Sequence, residues 1–220
     1  MMMTDKPFST NYNRVVAVAA SCGAILVCLI VGITLVNGTG YQDFESIRNY
    51  RTVDEYAARL ATSSSVLRAI YPLDTLYIFA YLIMVFAMVL ATGQTTPVGI
   101  LACVAALGTA SLDFIENNHI LAMAAAVERG YEVSMGRVTF ETVITQTKFN
   151  FGLLLTLCLS FLLPGHTKGG LCARWLARAL VVLAPVALLS PIATLAYISM
   201  NILFAGIIAA VFFQASSSNM

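Results

Sequence analysis

VGILACVAALGTASLDFIENNHILAMAAAV, residues 98–127, decides the class of this protein. Thirty residues run on with no Pro and no Lys or Arg, so the stretch reads as one helix longer than the ~20 residues that cross a bilayer. It is also interrupted by Ser111, Asp113, Glu116, Asn117, Asn118 and His119. A central acidic residue costs about 2.5–3.5 kcal/mol on insertion scales, so Asp113 and Glu116 need an offsetting partner. At about 100° per residue, Asp113, Glu116 and Asn117 fall on one face, with His119 further round from Glu116.

The rest of the chain agrees with a membrane reading. Of 220 residues, 59% are hydrophobic and 10% charged, and the mean hydropathy is +0.84; a soluble domain carries about 25% charged residues. We expect an all-α, polytopic helix bundle forming a single integral membrane domain over residues 1–220. Its spans lie near Val15–Val36, Leu73–Thr92, Val98–Val127, Val143–Leu163, Cys172–Ser190 and Pro191–Phe213. The fifth is short, contains Pro185 and meets the sixth at Ser190-Pro191, so a re-entrant pair is its alternative. Between spans one and two, Val53, Tyr56, Ala57, Leu60 and Ala61 recur at helical spacing opposite Asp54, Glu55 and Arg59, the pattern of an interfacial amphipathic helix. It would lie over a cavity or serve as a plain surface connector.

Twelve basic against eleven acidic residues give a net charge of +1, which offers nucleic acid no electrostatic attraction. With six spans, Lys6, Arg14, Lys168, Arg174 and Arg178 share a side with Asp5, while the basic residues of the other side are interleaved with acids. We therefore expect both termini in the cytoplasm and the chain in the inner (plasma) membrane. Cys22, Cys28, Cys103, Cys158 and Cys172 show neither a CxxC pair nor zinc spacing and read as packing residues. Ala20 with Ala24, and Gly206 with Ala210, are small-xxx-small pairs that allow close helix approach, within the chain or in a homo- or hetero-oligomer.

The other polar residues inside apolar helices complete the candidate site. Asp74, Tyr77 and Tyr81 fall at i, i+3 and i+7 in the second span, although Asp74 also suits a helix cap. Lys148 and Asn150 open the fourth span, and Thr194 and Tyr197 lie in the sixth. Spans two, four and six start on the side where span three ends, which groups Asp74, Tyr77, Lys148, Asn150, Thr194 and Tyr197 at the depth of Glu116 and His119. Lys148 is then the expected counter-ion for Asp74, Asp113 or Glu116.

These residues predict a site for a small or lipid-like molecule. Asp113, Glu116 and His119 are its acid/base or proton-coupling candidates, and Asp74, Tyr77, Tyr81, Asn117, Lys148, Asn150, Thr194 and Tyr197 are its ligand-binding candidates. No cofactor is predicted. The alternative is a metal held by Glu116 and His119, a Glu-x-x-His pair, and the second histidine, His166, falls in a loop expected on the opposite side. An enzyme of lipid or isoprenoid metabolism, or a non-catalytic assembly subunit whose polar stripe docks a partner, are the competing functions.

Overall fold

A computed structural model of the chain describes residues 10–40, 43–45, 52–92, 96–187 and 191–217, and for residues 10, 185–187 and 191–195 the backbone alone. Among these residues there are six helices and no strand: α1 (Thr10–Asn37), α2 (Val53–Thr92), α3 (Pro97–Glu128), α4 (Met135–Leu162), α5 (Lys168–Ala187) and α6 (Pro191–Ser217). Among the described residues, α1 to α4 and α6 are long and apolar enough to cross a membrane. The protein is a membrane-type helical bundle. On α5, Arg178 lies over the rings of Trp175 (5.0 Å) and Phe161 (5.5 Å). The fifth and sixth predicted spans are thus both present as helices.

Local sequence explains where the helices begin and end. Thr52, Thr96, Ser134 and Thr167 each accept a hydrogen bond from the backbone N–H three residues on, at 3.1, 3.3, 3.4 and 3.0 Å; these are N-caps, worth about 1 kcal/mol each. Pro97 follows Thr96 at the first helical position, where its missing N–H costs nothing. After α3, Gly130 has φ +79° and the amides of Gly130 and Tyr131 reach back to the carbonyls of Val127 (2.9 Å) and Ala126 (3.0 Å). This closure needs a left-handed residue, hence glycine. Gly38, with φ +63°, ends α1 in the same conformation.

The amphipathic stretch expected between spans one and two is helical but not separate. It is the first half of α2, which runs for 40 residues straight through Pro72. At 1.5 Å per residue α2 is about 60 Å long, twice the ~30 Å hydrocarbon core, so its polar N-terminal part needs no place in lipid. Helix α4 likewise starts at Met135, eight residues before the predicted span, and so takes in Glu141.

The chain divides into two compact units. The first comprises the described residues of Met1–Ile25, Phe79–Leu107 and Phe151–Met220. Its core is largely alanine (Ala17, Ala20, Ala87, Ala102, Ala105, Ala106, Ala173 and Ala177) filled in by Met88, Leu159, Ile208 and Phe212, a composition that lets helices approach closely. Ala20 is buried there, while Gly206 and Ala210 of α6 are exposed. The second unit, Leu26–Ile78 and Gly108–Asn150, has a core of larger side chains, with Phe44, Tyr56, Leu60, Leu67, Ile120 and Val138 all fully buried. Phe44 meets Tyr56 edge to face at 5.8 Å, and the Tyr56 hydroxyl donates to the Phe44 carbonyl at 3.1 Å. The Phe44 ring therefore ties the segment after α1 to α2. Phe44→Ala is expected to destabilise the detergent-solubilised protein by about 3–5 kcal/mol, read as a lowered thermal midpoint, with Phe44→Leu recovering most of the loss.

Candidate functional site

All of the polar cluster belongs to the second unit. Lys148 of α4 lies at its centre, with 16% of its side chain exposed. Its Nζ donates to Glu116 Oε2 of α3, lies 3.1 Å from Asp113 Oδ1 one turn earlier, and is 3.6 Å from Glu45 Oε1 of the segment after α1. Glu116 is 2% exposed, and its other oxygen accepts a hydrogen bond from the Thr145 hydroxyl. Next to Glu116 on α3, Asn117 Nδ2 donates to Asp74 Oδ2 of α2 at 2.7 Å, both residues being buried. The Lys148 ammonium of α4 thus joins α3 to the segment after α1, and Asn117 joins α3 to α2.

The backbone explains why these groups meet. The Gly130 closure and the Ser134 cap make α3 and α4 a tight hairpin, which brings Glu116 opposite Thr145 and Lys148. On α4, Glu141, Thr145 and Lys148 are spaced i, i+4 and i+7 and share a face. The segment carrying Glu45 is held at its start by Arg59 of α2, whose guanidinium donates to the Gly38 carbonyl at 2.8 Å and to the Thr39 hydroxyl. A cation is well placed at the C-terminal end of α1. Asp43 accepts from the Gly40 amide at 3.1 Å, closing the turn before Phe44.

The other predicted site residues are distributed differently. His119 is half-buried, with Nε2 3.1 Å from the Arg137 carbonyl and its ring edge-on to Phe140 at 5.2 Å. It also lines a groove of about 460 Å³ with Met123, Ala126, Tyr131 and Arg137. Among the described residues no three His, Cys, Asp or Glu side chains form a group that could hold a metal ion; Lys148 occupies the middle of the carboxylates. Tyr77 is half-buried and Asn150 exposed. Tyr81 and Tyr197 belong to the first unit, where Tyr81 is buried and Tyr197 packs against the alanine-rich core. Thr194 lies in α6 of that unit, and its side chain is outside the described residues.

Sequence reasoning missed four members of the cluster. Glu45 sits in a loop and carried no periodic signal. Thr145 and Glu141 follow the i, i+4, i+7 pattern with Lys148, which becomes visible once α4 starts at Met135. Tyr71, buried beside this layer, precedes Pro72, which made the position look like a helix boundary. Comparison with family models, with curated proteins and with solved structures finds no match to this chain.

Burial pushes the Glu45 carboxyl up to about 7; Lys148 pulls it down, and Glu116, Asp113 and Asp74 push it further up. Raised above the unfolded value of 4.5, it favours folding below pH 4.5 and loses that contribution as pH rises through about 7. Glu45→Gln is therefore expected to gain stability relative to the wild type between pH 4.5 and 7, seen in thermal melts across that window. Removing the central charge acts on the whole cluster. Lys148→Met leaves Glu116 and Asp113 buried without their cation and should cost about 3–5 kcal/mol at pH 8. Glu116→Gln added to it should restore part of that loss in a double-mutant cycle.

Proposed function

We propose that this chain is a multi-pass inner-membrane protein that binds or moves a small or lipid-like molecule through the Lys148 cluster, with proton coupling. Both termini are then cytoplasmic, which requires an even number of crossings, whether α5 and α6 both span or return together as a re-entrant pair. The observation that carries this reading is the imbalance of charge among the described residues. The carboxylates of Glu45, Asp113 and Glu116 gather around the ammonium of Lys148, with Asp74 held beside them by Asn117. A structural clasp between helices needs one acid for one base, and every further acid raises the cost of burial. Surplus carboxylates are favourable where protons or a positively charged group of a ligand come and go.

Roles follow from position. Asp113 and Glu116 are the acid/base pair, because each touches Lys148 and so trades a proton or a ligand cation against the same ammonium. Asp74 and Asn117 form the adjoining polar wall. His119, turned to the Arg137 carbonyl beside the groove, acts at the rim of the site.

The test is native mass spectrometry of gently solubilised protein. A bound small molecule or lipid should be present on the wild type and reduced at least tenfold on Asp113→Asn and Glu116→Gln, both of which still fold. Equal occupancy in wild type and variants, or a wild type carrying only bulk lipid and detergent, would overturn the proposal. Loss of turnover with the ligand retained would instead favour an enzyme.

A further inference from the structure

Glu141 and Tyr71 are members of the buried polar layer that make no ion pair or hydrogen bond with Lys148. Glu141 is fully buried on α4, one turn before Thr145, and neither carboxylate oxygen has a hydrogen-bond partner among the described residues. The hydroxyl of Tyr71, on α2 and 2% exposed, is equally without one. The two lie within electrostatic reach of each other and of Glu45, Glu116 and Lys148. An ionised carboxylate that is dry and has no donor is among the most costly groups a protein interior can hold, and such a group neutralises instead. Lys148 relieves it only in part, since its ammonium is already bound to Glu116 and close to Asp113.

Size favours the smallest positive occupant. Neither Glu141 nor Tyr71 lines the groove beside His119, nor the one between Pro164 and Phe212 in the other unit. An organic cation needs a cavity, whereas a proton needs none.

Resting on the proton-coupled reading above, we propose that Glu141 is a neutral carboxylic acid carrying the exchangeable proton of this site, with the Tyr71 hydroxyl as its companion and Glu45 as its outlet to water. In the transfer the O–H bond of Glu141 breaks and one forms on a Glu45 oxygen. The Tyr71 hydroxyl and the Glu141 carboxyl are not bonded in the resting structure, so the hydroxyl turns to Glu141 before it takes up one proton and gives up another, and no electron moves. The groups facing this path are Tyr71 and Asp74 of α2, Asp113 and Glu116 of α3, Lys148 of α4, and Glu45 itself, one-fifth exposed. The carboxylate left on Glu141 is then offset by Lys148, whose other partners include the newly protonated Glu45.

Infrared spectroscopy of the full-length protein in detergent at pH 8 tests this. A protonated-carboxyl C=O band is expected that moves to lower frequency in D₂O and on ¹³C labelling of glutamate. It should vanish in Glu141→Gln, persist in Glu45→Gln and change frequency in Tyr71→Phe. No glutamate acid band in the wild type, or a band that survives Glu141→Gln, overturns the proposal. Should Glu141→Gln not fold, the labelled wild type and Tyr71→Phe decide, because a band indifferent to the tyrosine hydroxyl also overturns it. The outcome is separable from that of the ligand reading: the acid band with no ligand on the protein sinks the latter alone, and a ligand without the band sinks only the proton assignment.

Discussion

A lysine ammonium in a layer of carboxylates is the interaction on which the second unit depends. In a medium of low dielectric, Asp113 and Glu116 are each unfavourable alone, and their mutual repulsion adds to the cost of desolvation. Lys148 suits the position because an ammonium has three donors that rotate to serve acceptors arriving from different directions. Glu116 and Asp113 come from one helix and Glu45 from the segment after α1, so no planar fork would meet all three. At 3.6 Å Glu45 is in ion-pair contact rather than hydrogen bonding. It is therefore the most loosely held member of the cluster and the nearest to water.

Such a cluster requires accurate placement of its backbone, and the magnitudes show which contacts supply it. Caps at Thr52 and Ser134 are worth about 1 kcal/mol each and fix where helices begin. Burial of a large core side chain such as Phe44 is worth several times more. The segment carrying Glu45 is thus anchored chiefly by the neighbouring Phe44 ring against Tyr56, with Arg59 at the end of α1 as a weaker, partly solvated tie. Phe44 and Glu45 are adjacent, so core packing and the placement of this carboxylate are coupled through a single peptide unit.

What was legible in the sequence was what the bilayer penalises. Asp113, Glu116 and Asn117 stood out because α3 is otherwise apolar, and Lys148 followed as the cation able to offset them. Glu141 was hidden by the same rule: read as loop because it is charged, it lies inside α4, where the i, i+4, i+7 spacing with Thr145 and Lys148 would have revealed it. Pro72 had a similar effect, cutting α2 in two on paper although the helix absorbs the lost hydrogen bond. Tyr81 entered the site by its helical spacing from Asp74, and Thr194 and Tyr197 by chain direction alone; all three lie in the first unit, and packing partners are invisible to such reasoning.

The difference between a clasp and a working site lies in how the charges are matched. A clasp reaches its lowest energy at neutrality, so a chain needing only to join α3 to α4 would be satisfied by Lys148 with Glu116, and Asp113, Glu45 and Glu141 would be better replaced by apolar residues of similar volume. Their cost falls only when positive charge enters from outside, as protons or on a ligand. The same surplus makes the layer sensitive to its own occupancy: neutralising any one carboxylate loosens its hold on Lys148 and strengthens the others' share. A proton bound at one position is thus felt at the rest through one shared ammonium, with no movement of the helices required.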